Sequence, residues 1–344
     1  MRYIDLRSDT VTLPTKEMRQ AMAEALVGDD VYQDDPTVKE LEALAAQVTG
    51  HPAALFVASG TMGNQLAIMT HTRRGDEVIT GANYHIVAHE VGAAAVLSNV
   101  SIRMIHHDND WIYPEDIRKA VRSTDIHHPT TSLLSLENAL SNGTVMPVEL
   151  MNRNIDMAHS LNLKVHLDGA RVFNAAAFLG CDVKELTSRC DSVMFCLSKG
   201  LCSPIGSMLV GSKEFIENAR KNRKLLGGGL RQAGILAAAG IISIKEMTRR
   251  LSQDHANAEM LARCLAKIPQ VHVFDQLRDI NMVYFKLDDQ SSGRLVDFAF
   301  KRGCKINPPG NGVFRVVTHN DVTVEDVDAF VDIVRQYLKE NPSD

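Results

Sequence analysis

Apolar residues along the chain fall into two alternating patterns. Short apolar runs at 53–58, 77–80, 102–105, 133–136, 164–167 and 192–197 read as strands. Between them lie stretches with apolar residues three and four apart, the spacing of an amphipathic helix. Residues 14–26 predict a helix with Met18, Met22 and Leu26 on one side, closed by Gly28. Asp35 followed by Pro36 is an N-cap with proline at the first helical position. The helix it opens carries Val38, Leu41, Leu44 (or Ala45) and Val48 on one face and stops at Gly50. The strand at 53–58 runs into Ser59-Gly60-Thr61-Met62-Gly63-Asn64, with a helix expected from Gln65. Helices are also expected at 114–121 and 148–160, and 208–210 is expected to pair with 192–197 after a turn at 204–206.

Strands alternating with helices predict an α/β fold with a mostly parallel sheet. From about Leu251 the pattern changes. A helix to Ile268, strands at 271–274 and 282–287, a helix at 293–301, a strand at 313–317 and a final helix from Val324 suit a smaller α+β domain. The expected division is an N-terminal segment 1–14, a large domain 15–250 and a small domain 251–344.

Composition narrows the class. With 37 basic against 42 acidic residues, the chain has no general electrostatic case for binding nucleic acid. The longest run free of charge and strong polarity, 234–244, is too short for a bilayer, which takes about 20 residues. Met1-Arg2-Tyr3-Ile4-Asp5 lacks the apolar stretch of a signal peptide. The six cysteines form no CxxC pair, so they read as reduced thiols of a cytoplasmic protein rather than a zinc or redox site.

Two strand ends carry the chemistry. His166-Leu167-Asp168-Gly169-Ala170-Arg171 puts a carboxylate at the end of an apolar strand, where ligands of open α/β sheets collect. Taken alone, an Asp that only caps a turn is the favoured reading. Cys196-Leu197-Ser198-Lys199-Gly200 ends the next strand in a lysine, either an exposed terminus or a Schiff-base lysine. Together they match the needs of pyridoxal phosphate: a lysine for the aldehyde and a carboxylate for the pyridine nitrogen. Ser59-Gly60-Thr61, at a strand-to-helix turn, offers backbone N–H groups to a phosphate. No P-loop lysine and no third glycine of a dinucleotide fingerprint are present. His85 is the candidate to stack on the ring. With His89, four residues on, it has the spacing of a metal pair, but no third ligand is evident nearby and no metal is expected. Glu90 either orients a histidine or is solvated.

These segments resemble the low-specificity L-threonine aldolases, in the β-eliminating lyase group of fold type I pyridoxal-phosphate enzymes. The matching pieces are Leu6-Arg7-Ser8-Asp9-Thr10-Val11-Thr12, Gly28-Asp29-Asp30-Val31-Tyr32, Ser59-Gly60-Thr61-Met62-Gly63-Asn64, His127-His128, Leu136-Glu137-Asn138, the Asp168 and Lys199 stretches, and their order. The resemblance implies that Lys199 holds the cofactor aldehyde, Asp168 pairs with the ring nitrogen, and His85 stacks on the ring and handles the substrate hydroxyl. It assigns the phosphate to Gly60, Thr61 and Ser198, with Arg231 reaching the phosphate of a neighbouring subunit. Ser8, Arg171 and Arg315 would hold the substrate carboxylate, a task suited to a guanidinium fork. His128 would sit at the hydroxyl side, as an alternative base or a donor. A homotetramer built from dimers is also implied. At Ala139-Leu140 the sequence departs from the pattern, where many relatives have Thr-His.

The expected reaction is reversible cleavage of L-threonine or L-allo-threonine to glycine and acetaldehyde. The alternatives are an aldolase for bulkier β-hydroxy amino acids such as phenylserine, or a related β-eliminating lyase. A catalytically silent relative is disfavoured by the intact Lys199, Asp168 and His85, and a nicotinamide oxidoreductase by the missing GxGxxG.

Overall fold

The computed structural model describes residues 2–288 and 293–341. The outer limits 1 and 344 of the expected division lie outside the described residues. The strands are β1 (Ile4–Asp5), β2 (Ala53–Val57), β3 (Glu77–Gly81), β4 (Ser101–Ile105), β5 (Thr131–Glu137), β6 (Lys164–Asp168), β7 (Ser192–Cys196), β8 (Ser207–Gly211), β9 (Val271–Val273), β10 (Met282–Leu287), β11 (Cys304–Lys305) and β12 (Val313–Val317). Seven of them form one sheet in the order β2-β8-β7-β6-β5-β3-β4. β4, β3, β5, β6 and β7 run parallel, and β8 is antiparallel to both its neighbours. The turn into β8 is tight. Gly206 sits at φ +106°, and a Cβ there would come within 2.5 Å of the Phe56 ring.

Alternation on β7 shows how the sheet is covered on both faces. Val193 and Phe195 join the main core with Leu134, Val165 and Leu167, while Met194 and Cys196 face a second cluster with Leu55, Val57 and Leu66. This geometry turns the carboxyl ends of β2, β3, β5, β6 and β7 toward one edge.

The helices follow their caps. Asp35 accepts from the Val38 N–H, Pro36 opens the helix Pro36–Thr49, and Gly50 closes it at φ +74°. The first helix is shorter than expected, Lys16–Glu24. The Leu26 carbonyl accepts from the Thr37 hydroxyl at 2.6 Å instead of continuing the helix, so Leu26 is 73% exposed rather than on a buried side. Gly28 therefore closes no helix. It lies against the Asp34 backbone, where a Cβ would come within 2.6 Å of the carbonyl. The helix expected from Gln65 begins earlier, as Gly60–His71, because Ser59 caps it through the Met62 N–H.

The C-terminal region has its own antiparallel sheet, β12-β10-β9, and its own core against Leu251–Leu265 and Val324–Glu340. The N-terminal segment is part of this unit. β1 pairs in parallel with β11, and Leu6 is wholly buried in the small core. The chain then returns to the large sheet, where the Thr12 hydroxyl donates to the Lys199 carbonyl at 2.9 Å.

Candidate active site

An enclosed cavity at the carboxyl edge of the large sheet gathers Gly60, His85, Glu137, Asp168, Arg171 and Lys199. A cavity of about 650 Å³ opens elsewhere, between Pro36–Thr49 and Lys213–Leu225. Two of its arginines are already paired, Arg220 with Glu42 at 2.8 Å and Arg223 with Asp30 at 2.6 Å. The reactive groups lie in the smaller, enclosed cavity.

Asp168, the last residue of β6, is 2% exposed. One carboxylate oxygen accepts from the Ala170 N–H at 3.0 Å and the other from Asn64 Nδ2 at 2.7 Å. Each oxygen keeps a lone pair for a further donor. Lys199 follows β7, and its amine has no hydrogen-bond partner among the described residues. Ser198 shares its loop, held by an N–H donated to the Gly206 carbonyl.

His85 begins a single helical turn after β3. Its Nδ1 lies 2.7 Å from Glu90 Oε1, and Glu90 is 1% exposed. Asn64 and Gln65 also donate to Glu90, at 2.8 and 2.6 Å. Glu90 is thus the group that orients His85, not a solvated side chain. Its hydrogen bond raises the imidazole pKa above the ordinary value; burial opposes this and the Asp168 charge adds to it. With Nδ1–H given to Glu90, Nε2 is the nitrogen free to take a proton.

The Glu137 carboxylate accepts from the His85 N–H at 2.7 Å and from the Ser141 hydroxyl at 2.6 Å. Burial, and then the Asp168 charge, push its carboxyl up to about 7. His85, Glu90 and Asp168 bring ligand atoms within 4.8 Å of one another. The Asn64 amide lies between the two carboxylates and donates to both. His89 is exposed, its ring 5.4 Å from that of His85.

Two arginines from the expected set differ in their setting, Arg171 lining this cavity and Arg315 lying on the C-terminal sheet. Arg171 is held by the buried Asp9, Nε to Oδ2 at 2.8 Å and Nη2 to Oδ1 at 2.6 Å, which leaves Nη1 for another anion. Burial works against the Asp9 charge, but Arg171 holds this carboxyl well below its usual range. Arg315, on β12, stands opposite Tyr284 on β10, and its charge is among those that act on the Tyr284 hydroxyl. That hydroxyl donates to the Ser141 carbonyl at 3.0 Å and so ties the sheet β12-β10-β9 to the loop after β5. Ser8 caps the short turn Asp9–Val11 through the Thr10 N–H.

The helix Gly60–His71 starts at this edge, so the N–H groups of Gly60 and Thr61 lack intrahelical partners. A Cβ on Gly60 would come within 2.9 Å of Cys196 Sγ. The backbone thus packs as close to the sheet as a glycine permits. The cavity offers an amine for an aldehyde, a carboxylate for a ring nitrogen, an imidazole and helix-start N–H groups for a phosphate, the set that pyridoxal phosphate needs.

Two expected residues fall elsewhere in this chain. His128 is exposed, hydrogen-bonds Ser123 at 3.0 Å and precedes β5, at the opposite end of that strand from Glu137. Within one chain it lies outside this cavity. Arg231 is exposed and pairs with Asp29 at 2.9 Å. Asn64, Asp9 and Tyr284 had no role in the sequence reading. For Asn64 and Asp9 the available signal was their place inside the matching segments; Tyr284 has none.

Residues 5–288 match the family model described as Beta-eliminating lyase. The chain is 43% identical over 324 residues to the low specificity L-threonine aldolase of Escherichia coli K12, covering 94% of this chain and 95% of the relative. It is 40% identical to the probable low-specificity L-threonine aldolase 2 of Arabidopsis thaliana, covering 95% of each. A solved threonine aldolase from Leishmania major superposes with a TM-score of 0.84 at 18% identity, over 97% of this chain and 99% of that one, a likeness of fold.

Proposed function

The chain belongs to the beta-eliminating lyase family, and from that premise we propose that it cleaves L-threonine and L-allo-threonine to glycine and acetaldehyde. Pyridoxal phosphate is its cofactor, held by Lys199 at the aldehyde, Asp168 at the ring nitrogen and the helix start at Ser59, Gly60, Thr61 with Ser198 at the phosphate. When bound, it supplies an electron sink for the pair released by the Cα–Cβ bond. The observation that carries the reading is the convergence of Lys199, Asp168 and a Glu90-oriented His85 in one enclosed cavity.

The chain's own residues set the course of the reaction. Arg171 through Nη1, Arg315 and Ser8 hold the substrate carboxylate and so choose which bond at Cα stands across the ring plane. His85, whose Nε2 the Glu90 hydrogen bond leaves free, would stack on the cofactor ring and take the β-hydroxyl proton at that nitrogen. Its raised pKa makes it a stronger base than a free imidazole. With the β-hydroxyl deprotonated, the substrate Cα–Cβ bond can break to give acetaldehyde and, once a proton is added at Cα, glycine; Lys199 would hold the cofactor aldehyde when no amino acid is bound. Asp168 keeps the ring nitrogen protonated throughout.

Arg231 lies outside this chain's cavity, which suits its expected reach to a phosphate of a neighbouring subunit and a homotetramer, whereas His128 has no place in this chain's cavity. A cytoplasmic location fits the reduced cysteines, and no described helix is long and apolar enough to cross a membrane. The test is stoichiometry. Protein loaded with pyridoxal phosphate should convert L-threonine to equal amounts of glycine and acetaldehyde. Formation of ammonia and a keto acid instead would favour the β-eliminating reading.

A further inference from the structure

Asn64 sits one turn into the helix Gly60–His71 and is wholly buried. Its Nδ2 donates to Glu90 Oε1 at 2.8 Å and to Asp168 Oδ2 at 2.7 Å. Its Oδ1 lies 3.1 Å from Nε2 of His166, which is also wholly buried. His166 Nδ1 lies 2.9 Å from the Ser192 hydroxyl, and that hydroxyl lies 2.8 Å from His71 Nε2.

The chemistry of these groups allows one consistent direction. Two carboxylates accept, so both amide hydrogens of Asn64 must face them and its oxygen must face His166. His166 Nε2 therefore carries a hydrogen, and neutral His166 accepts at Nδ1 from Ser192. Ser192 in turn accepts from His71 Nε2–H. Burial lowers the pKa of both histidines, to about 3 for His166 and about 4 for His71, which keeps them neutral as this direction requires. With the oxygen turned inward, Asn64 would set an acceptor against two carboxylates and a donor against a donor.

We infer that Asn64 is a positioning residue of the site: its amide, oriented by the buried relay His71–Ser192–His166, ties the carboxylate that meets the cofactor ring nitrogen to the carboxylate that orients His85. The inference rests on the reading of Asp168 and His85 given above. One amide then serves two tasks. It fixes the angle of the Asp168 carboxylate. It also draws charge from the Glu90 oxygen that His85 shares, so that His85 is raised by Glu90 less than it would otherwise be.

That second task gives a sign that loss of structure does not reproduce. His85 is faced by Glu90 and Asp168, which raise its pKa, by Lys199, which lowers it, by Glu137, whose own carboxyl is pushed up to about 7, and by the His89 ring at 5.4 Å. In Asn64→Leu, Glu90 Oε1 loses a competing donor, and the His85 pKa should rise further, by about one unit. In an unfolded chain it would fall to the ordinary value. The experiment follows the His85 imidazole by NMR in the full-length chain without cofactor, assigned through His85→Gln, for wild type, Asn64→Leu, Asn64→Ala, His166→Leu and His166→Gln. Both Asn64 variants should move His85 upward. His166→Leu should do so by less, and His166→Gln, which can still donate, should stay at the wild-type value. A His85 pKa unmoved or lowered in both Asn64 variants overturns the inference.

A second readout is the circular dichroism of the bound cofactor's visible band. Relative to absorbance it should weaken at least twofold in Asn64→Leu as the ring loses its fixed tilt; an unchanged band counts against the positioning role. If wild type binds no pyridoxal phosphate, the reading of the site fails, while the His85 titration still decides the part played by Asn64.

Discussion

Glu90→Gln isolates what the buried carboxylate does for His85. The introduced amide keeps an oxygen toward Nδ1, and its new NH2 group faces Gln65 in place of an acceptor. Gln65 Oε1 is a buried acceptor without a partner, so a flip of the Gln65 amide accommodates the change. The fold should therefore tolerate it. A hydrogen bond to a charged acceptor contributes about 1.5–3 kcal/mol, and a neutral one about 1 kcal/mol. The difference, about 0.5–2 kcal/mol, corresponds to roughly one pKa unit. His85 is raised in the folded protein chiefly by Glu90, so the substitution should lower its pKa by about that much. NMR titration of His85 reads this directly, and the pH profile of kcat/KM on L-threonine reads its consequence. His85 must be deprotonated to accept the hydroxyl proton, so the acid limb should move to lower pH by the same amount. The plateau should fall several-fold because the base is weaker. The sign for stability follows. A raised His85 stabilises the fold fully below its unfolded pKa, about 6.5, and that contribution is lost as pH rises through the folded value. The advantage of wild type over Glu90→Gln should be largest in acid and shrink toward alkaline pH. An unmoved His85 pKa would refute the orienting role, and a moved pKa with an unmoved acid limb would refute His85 as the base.

Three further outcomes are expected. Asp9→Asn leaves the buried Arg171 without its counter-charge; it should cost roughly 3 kcal/mol in a urea titration and raise KM at least tenfold, and an unchanged KM would remove Arg171 from carboxylate binding. Gly60→Ala sets a Cβ within 2.9 Å of Cys196 Sγ, so it should cost about 1–3 kcal/mol and weaken pyridoxal-phosphate binding measured by equilibrium dialysis, whereas wild-type affinity would place the phosphate elsewhere. Burial pushes the Cys190, Cys202 and Cys304 thiols up to about 12, so an alkylating reagent at mildly alkaline pH should spare them until urea unfolds the chain, with labelling of any of the three in the native state, read by mass spectrometry, contradicting the packing.

Local signals explain which parts of the fold were legible in the sequence. Asp35-Pro36 and Gly50 are chemical caps, and the helix between them falls where they put it. Val148–Ser160 is amphipathic, and its ends agree residue for residue with the periodicity. Leu26 misled because its apolar spacing continues past the point where Thr37, distant in sequence, takes its carbonyl. The helix Gly234–Lys245 has apolar residues on every side, so it carries no periodic signal and read only as a run without charge. The pairing of β1 with β11 joins residues 4–5 to residues 304–305, and no local pattern announces it.

The site divides in the same way. Lys199, Asp168 and Gly60 sit at strand ends or helix starts, where the backbone itself aims them. Glu90 was ambiguous because its role depends on burial and on donors from another helix. His128 was assigned by likeness of motif, and the fold puts it at the far end of its strand. Arg315 has the plain spacing of a strand residue; only its register opposite Tyr284 shows that it faces the large domain.

The central claim is that this cavity cleaves the Cα–Cβ bond of threonine from a cofactor held by Lys199. The most direct measurement is acetaldehyde release, coupled to NADH oxidation, from L-threonine and from L-allo-threonine offered separately. Wild type and Lys199→Ala would each be supplied with pyridoxal phosphate. The expected result is turnover of both substrates by wild type and background rates for the variant. No turnover of either substrate by wild type that holds the cofactor, or equal turnover by Lys199→Ala, would contradict the account.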